Sequence, residues 1–240
     1  MSLIKEAYPD QLIGIEEGEF IWCDSSRMAY DDPGDFDGFE DMLNRADLRA
    51  QMSQLYPMTF DSRLSPPPFS DPGRIRCEAF FRKMYGQHKA EVQAHLVAVP
   101  WLPSSENQTV MISSINQVHE KLLAISLELD SLPDSLKQFV RAPIGGTFNW
   151  RTIAGTDRLS MHSFGICIDI AVRHSHYWRW ASNASDAPIP YHNSIPAEIV
   201  NIFEKHGFIW GGKWYHYDTM HFEYRPELLR RGKLSSKRAP

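Results

Sequence analysis

The stretch GICIDIAV, residues 165–172, constrains the fold more than any other part of the chain. Ile166, Ile168, Ile170 and Val172 fall on one side of a two-residue repeat, and Cys167, Asp169 and Ala171 on the other. Such alternation predicts a strand with one face against a core. It also sets an ionisable carboxylate, Asp169, inside an otherwise apolar strand. A bare buried carboxylate is too costly, so Asp169 must be paired, hydrogen-bonded or bound to a cation. His162 stands just upstream, and Gly165 lets the chain turn between loop and strand so that the imidazole can approach Asp169.

The rest of the chain supplies helices and further strands. TVMIS (109–113) predicts a strand, followed by a helical stripe of Ile115, Val118, Leu122, Ile125 and Leu129 capped by Ser113 or Ser114. HKAEVQAHLVAV (88–99) predicts a short helix stopped by Pro100. Pro196 opens a helix with Ile199, Ile202 and Phe203 inward, closed by Gly207. FIWGGKWYHYDTMHFEY adds a turn and at least one more strand. Residues 1 to about 85 are expected to be loop-rich, apart from helical spacing at Phe39, Met42, Leu43 and Ala46. The sum is an α+β fold, helices packed on a small, antiparallel sheet. A loop-rich extension is expected over 1–70, the main domain over 71–230 and a basic tail over 231–240.

Bulk properties narrow the function classes. A formal charge of −5 gives no electrostatic reason to bind nucleic acid or an anionic membrane. No apolar run approaches the roughly 20 residues of a membrane span. Three cysteines (Cys23, Cys77, Cys167) cannot build a disulfide framework, although Cys23 and Cys77 could form one bridge in an oxidising compartment. MSLIKEAYPD shows no signal peptide, so the chain is either cytoplasmic or exported by a signal outside this sequence. The five Asp residues between 31 and 41 lack EF-hand spacing and are expected to form an acidic surface loop.

His162 and Asp169 are two donors of a type zinc accepts, but a catalytic zinc typically takes three protein ligands and keeps one open position. The chain has ten histidines, and the other nine compete for the third place. His221 in YDTMHFEY is the strongest candidate, because it begins an alternating strand with Glu223 on its own face and Phe222 and Tyr224 on the other. Asp218, three residues earlier, is placed to act as a proton acceptor beside the site. The alternative is a hydrogen-bonded Tyr/His-rich strand with Asp218 in a turn.

SMHSFGICID resembles the S-x-H-x-x-G-x-A-x-D signature of zinc D-alanyl-D-alanine peptidases of the VanY/VanX type, and GFIWGGKWYHYDTMHFEYRPEL resembles their second signature. The resemblance covers about residues 72–229. It implies the hedgehog/D-Ala-D-Ala peptidase fold, a Zn2+ cofactor held by His162, Asp169 and His221, and Asp218 as catalytic base. It further implies an arginine for substrate or oxyanion, best matched by Arg151 with Arg158 as competitor, and a substrate or supporting contact from Ser160. The implied substrate is the stem peptide of bacterial peptidoglycan, and the implied setting is periplasmic or extracellular. Two departures stand out: Cys167 replaces the usual alanine, and the base is aspartate, as in L-alanyl-D-glutamate endopeptidases. Carboxypeptidase action, endopeptidase action and a non-catalytic, zinc-stabilised wall-binding module therefore remain three alternatives.

Overall fold

In the computed structural model, which describes residues 1–31, 35–59, 65–106, 108–181 and 188–236, the chain opens with helix Ser2–Ala7. An antiparallel meander follows: β1 (Leu12–Glu16), β2 (Glu19–Trp22) and β3 (Arg27–Ala29). The first 85 residues thus hold more regular structure than expected. The β1–β2 turn is made by Glu17 and Gly18, both at positive φ. Helix Gly38–Arg45 appears where the spacing predicts it, with Leu43 buried. The acidic residues near it are met by arginine: Asp41 pairs with Arg45 and Asp31 with Arg49. Asp32 lies outside the described residues.

The stretch 88–99 is not one helix. It divides into helix Lys89–Ala94 and β4 (Leu96–Trp101), which pairs antiparallel with β5 (Gln108–Ser113). Pro100 sits inside β4 rather than stopping a helix. A two-stranded ribbon leaves each strand one open edge, so a residue without an N–H is tolerated there, and the Pro100 carbonyl accepts from Ser126 Oγ at 2.8 Å. Helix Val118–Asp130 buries Val118, Leu122, Ile125 and Leu129 as the stripe requires. Ile115 belongs instead to a preceding 3-10 turn, whose first N–H donates to Ser113 Oγ at 3.2 Å.

The sheet that carries the candidate site comprises β6 (Ile144–Gly146), β7 (Cys167–Ala171), β8 (Phe208–Trp210) and β9 (His221–Tyr224). Its order is β6-β7-β9-β8, antiparallel throughout. Ile168, Ile170 and Phe222 lie on the core face, fully buried. Phe222 stacks on Phe203 of helix Ala197–Lys205 with ring centroids 3.8 Å apart. Val172 leaves this pattern, because the strand ends at Ala171 and Val172 starts an exposed turn. Two glycines are needed for close approach. Gly165 holds φ +65 at the entry to β7, where a Cβ would meet Leu96 at 2.6 Å, and a Cβ on Gly145 would strike that of Asp169 at 2.6 Å.

Ile4, Tyr8, Phe20 and Trp22 of the N-terminal segment share one hydrophobic cluster with Ile168 and Phe222. Helix Pro226–Ser236 carries Arg230, Arg231 and Lys233 of the basic end, while Lys237 and Arg238 lie outside the described residues. No helix among the described residues is long and apolar enough to cross a membrane. All three cysteines are free, so Cys23 and Cys77 are not bridged.

Candidate metal centre

The register of β7 against β9 sets Asp169 opposite His221 and Cys167 opposite Glu223, all on the face away from the isoleucines. His162 arrives from a short 3-10 turn, Met161–Phe164, whose first residues are held by Ser160: its Oγ accepts from the His162 N–H at 3.4 Å. Three side-chain atoms then converge. His162 Nε2 lies 3.1 Å from Asp169 Oδ1 and 3.2 Å from His221 Nδ1, and His221 Nδ1 lies 3.0 Å from Asp169 Oδ1.

Each imidazole is fixed by its outer nitrogen. His162 Nδ1 donates to the Thr147 carbonyl at 2.6 Å, and His221 Nε2 donates to Glu223 Oε2 at 3.0 Å. A carbonyl or an ionised carboxylate can only accept, so these bonds assign the N–H and turn the other nitrogen's lone pair towards the shared point. Glu223 is fully buried between Arg76 and Arg225, each at 2.8 Å. Burial would raise its carboxyl pKa, but Arg76, the His221 bond and Arg225 hold it well below the usual range. Burial likewise opposes ionisation of Asp169, yet the two histidines keep it well below the ordinary carboxylate value. The His221 ring is raised well above an ordinary histidine: burial lowers it, and Cys167, Asp169 and Glu223 outweigh that. Without a cation, a proton is held among these groups.

Asp218 lies at the edge of this cluster. Burial, and secondarily the charge of Asp169, push its carboxyl up to about 6. Its Oδ1 is buried with no hydrogen-bond partner among the described residues. The buried orphan oxygen beside three convergent N/O donors is what a hydrated divalent cation would satisfy, and His/His/Asp with an open side suits zinc. A second donor set exists: Cys167 Sγ lies with ring nitrogens of His162 and His221 in a group spanning 4.8 Å. Asp169 Oδ1 lies within 3.1 Å of both rings and lines the cleft, whereas Cys167 is fully buried with its thiol pushed up to about 11 by burial.

A cleft of about 340 Å³ opens over the cluster, lined by His162, Asp169, Asp218, His221 and Ser160, with Arg74, Arg76, Arg151 and Arg179 and the aromatic rings of Tyr177, Trp180 and Trp214. A second hollow of about 190 Å³ on the Gly145–Asn149 side shares His162, Asp169 and Arg151 with it. Arg151 is exposed, its guanidinium making a long 3.4 Å bond to the Thr152 carbonyl. Arg158 is not brought to the cleft. It lies 3.5 Å from Glu40 and lines a separate cavity beneath helix Gly38–Arg45. Sequence reasoning missed Arg74, Arg76 and Thr147. Arg74 donates to the His216 carbonyl at 2.6 Å and lies 5.0 Å from the Trp214 ring; no local motif marks it. His174 and His176 stay away from the cluster, His176 bonding Ser194 at 2.9 Å.

Residues 154–224 match a family model described as D-alanyl-D-alanine carboxypeptidase. The matched segment is under a third of the chain, contains His162, Asp169, Asp218 and His221, and begins after Arg151. It supports a peptidase of the cell-wall type. No curated protein and no solved structure gives a significant match.

Proposed function

We propose that the chain is a zinc metallopeptidase that hydrolyses peptide bonds in peptidoglycan stems, acting as a D-alanyl-D-alanine carboxypeptidase, on the hedgehog/D-Ala-D-Ala peptidase fold. The observation that carries this is the convergence of His162 Nε2, Asp169 Oδ1 and His221 Nδ1 within 3.2 Å of one another beside Asp218, whose buried Oδ1 has no hydrogen-bond partner among the described residues. A non-catalytic wall-binding module has no need for such a base. The family match over the same residues supports the substrate class, and with it a periplasmic or extracellular place of action.

Zinc held by His162, Asp169 and His221 supplies an acidified water and a Lewis acid for the scissile carbonyl. Asp218, poised near neutrality, accepts the proton of the attacking water and returns it to the leaving amine. Arg151, exposed at the cleft wall, offers two parallel donors to the oxyanion or to a substrate carboxylate. Ser160 fixes the His162 turn. Four arginines in the cleft give it a cationic lining that suits a carboxylate-rich stem peptide. Arg158 serves substrate only if the chain extends into the neighbouring cavity.

One observation favours a second reading, L-alanyl-D-glutamate endopeptidase action. Hollows lie on both sides of His162 and Asp169, so a peptide could continue past the reacting bond in either direction. Purified muropeptides incubated with the zinc-loaded protein separate the two by the mass of the released fragment. Free D-alanine is expected; release of a peptide cut between L-alanine and D-glutamate replaces that reading with the second.

A further inference from the structure

Four charged side chains, Arg76, Glu223, Arg225 and Glu227, form a chain behind the metal centre, three of them fully buried and Arg76 nearly so. Arg76 and Arg225 each donate to Glu223 at 2.8 Å, and both reach the Gly73 carbonyl. Arg225 continues to Glu227 at 2.6 Å, which accepts in turn from Tyr8 Oη at 2.6 Å and Gln51 Nε2 at 3.4 Å. Buried ion pairs of this kind are a weak route to stability, since desolvation consumes most of their attraction. The array is balanced in charge; Arg76 also borders the cleft, and the array's hydrogen bond to a proposed ligand is Glu223 Oε2 on His221 Nε2 at 3.0 Å.

We propose that Glu223 is a positioning residue: it holds the His221 ring with Nδ1 turned to the metal, while Arg76 and Arg225 hold Glu223. The inference rests on His221 being a metal ligand. Glu223 does not touch the cleft and is absent from its lining. Its effect is to keep the N–H on Nε2, so the ring meets the cation already in the correct tautomer and orientation. Through Arg225 and Glu227 the clamp extends to Tyr8 and Gln51, which ties the N-terminal segment to the geometry of the centre. An acceptor at this position raises the ligand's basicity, and its loss typically weakens metal binding by roughly 10–100-fold.

The test is zinc affinity of the full chain, measured by competition with a chromophoric chelator, for wild type and Glu223→Gln. In parallel, 15N imidazole shifts of wild type report which His221 nitrogen carries the proton in the zinc-loaded protein. The expected results are a roughly 10–100-fold weaker dissociation constant for the variant and an N–H at Nε2. A merely structural role predicts a lower melting temperature with unchanged zinc affinity, which overturns the proposal. A proton found on Nδ1 overturns it too, and that measurement stands even if the variant does not fold. Wild type that binds no zinc removes the metal reading and this inference together; wild type that binds zinc no more tightly than a folded variant removes this inference alone.

Discussion

Asp169 and His221 face each other across two antiparallel strands, and Asp169 Oδ1 comes within 3.0 Å of His221 Nδ1. The backbone register itself therefore builds half of the candidate metal centre. Asp169 is held ionised by the two imidazoles, and His221 holds a proton beyond its ordinary range.

These shifts give the metal-free protein a defined pH profile. The raised His221 contributes stability that is present below the ordinary histidine value of 6.5 and is lost as pH rises through its folded value. The depressed Asp169 contributes stability present above 3.8 and lost as pH falls through its folded value. Stability from this pair is therefore greatest between 3.8 and 6.5. Zinc must displace the proton from His221, so its affinity rises with pH, by up to about tenfold per unit. Melting curves with and without zinc from pH 5.5 to 8.5 should show a metal-induced increment that grows with pH. A constant increment would contradict the proton displacement.

Asp218→Asn should separate catalysis from stability. The Asp218 carboxyl is pushed up to about 6, above its ordinary 3.8, so ionising it destabilises the metal-free fold increasingly as pH rises through that interval. Replacing it with the neutral amide is expected to stabilise metal-free protein by about 3 kcal/mol at pH 8, while removing the proton acceptor. Chemical denaturation at pH 3.5, pH 5 and pH 8 checks this: the gain should be full at pH 8, partial at pH 5, and vanish only below the ordinary carboxyl value of 3.8.

Cys167→Ala is expected to retain zinc, because in the proposed site Asp169 rather than the thiol completes the donor set. The cost is that of a small buried side chain, on the order of 1 kcal/mol. Cys167 is fully buried and its thiol is pushed up to about 11, so an alkylating reagent at pH 8 should modify it only on unfolding. A thiolate-to-metal charge-transfer band in cobalt-substituted wild type, lost in the variant, would instead assign Cys167 as a ligand.

Arg151→Ala should lower kcat by roughly 10²–10³, the typical loss of one oxyanion donor, with zinc content unchanged. Arg158→Ala should leave kcat near wild type for a short stem peptide, since Arg158 lies at a separate cavity against Glu40. Equal losses in both variants would point to a general effect of cleft charge.

What the sequence revealed about the site follows from period. β7 and β9 show two-residue alternation with polar residues on the otherwise apolar pattern, so Asp169 could be placed on the side away from the isoleucines, and His221 with Glu223 on one side of their own strand, from sequence alone. The register that joins the two sides is a finding of the structure. The partners that orient these residues could not be read from sequence either. Thr147 contributes a backbone carbonyl, which leaves no mark in residue identity, and Arg76 meets Glu223 across 147 positions. β4 was hidden for another reason: Ala, Glu and Gln around 89–94 favour helix, and the strand beyond them is set by pairing with β5, a tertiary contact. The N-terminal meander was obscured by its own turn-rich composition, although EEGEF contains the positive-φ pair that closes β1 on β2.

The most direct test of the central claim is hydrolysis of a purified stem peptide, followed by mass spectrometry, for zinc-loaded wild type beside zinc-loaded Asp218→Asn. A cleaved fragment from wild type and none from a variant of equal zinc content is the predicted result. Equal cleavage by both, or none by zinc-loaded wild type, would contradict the account.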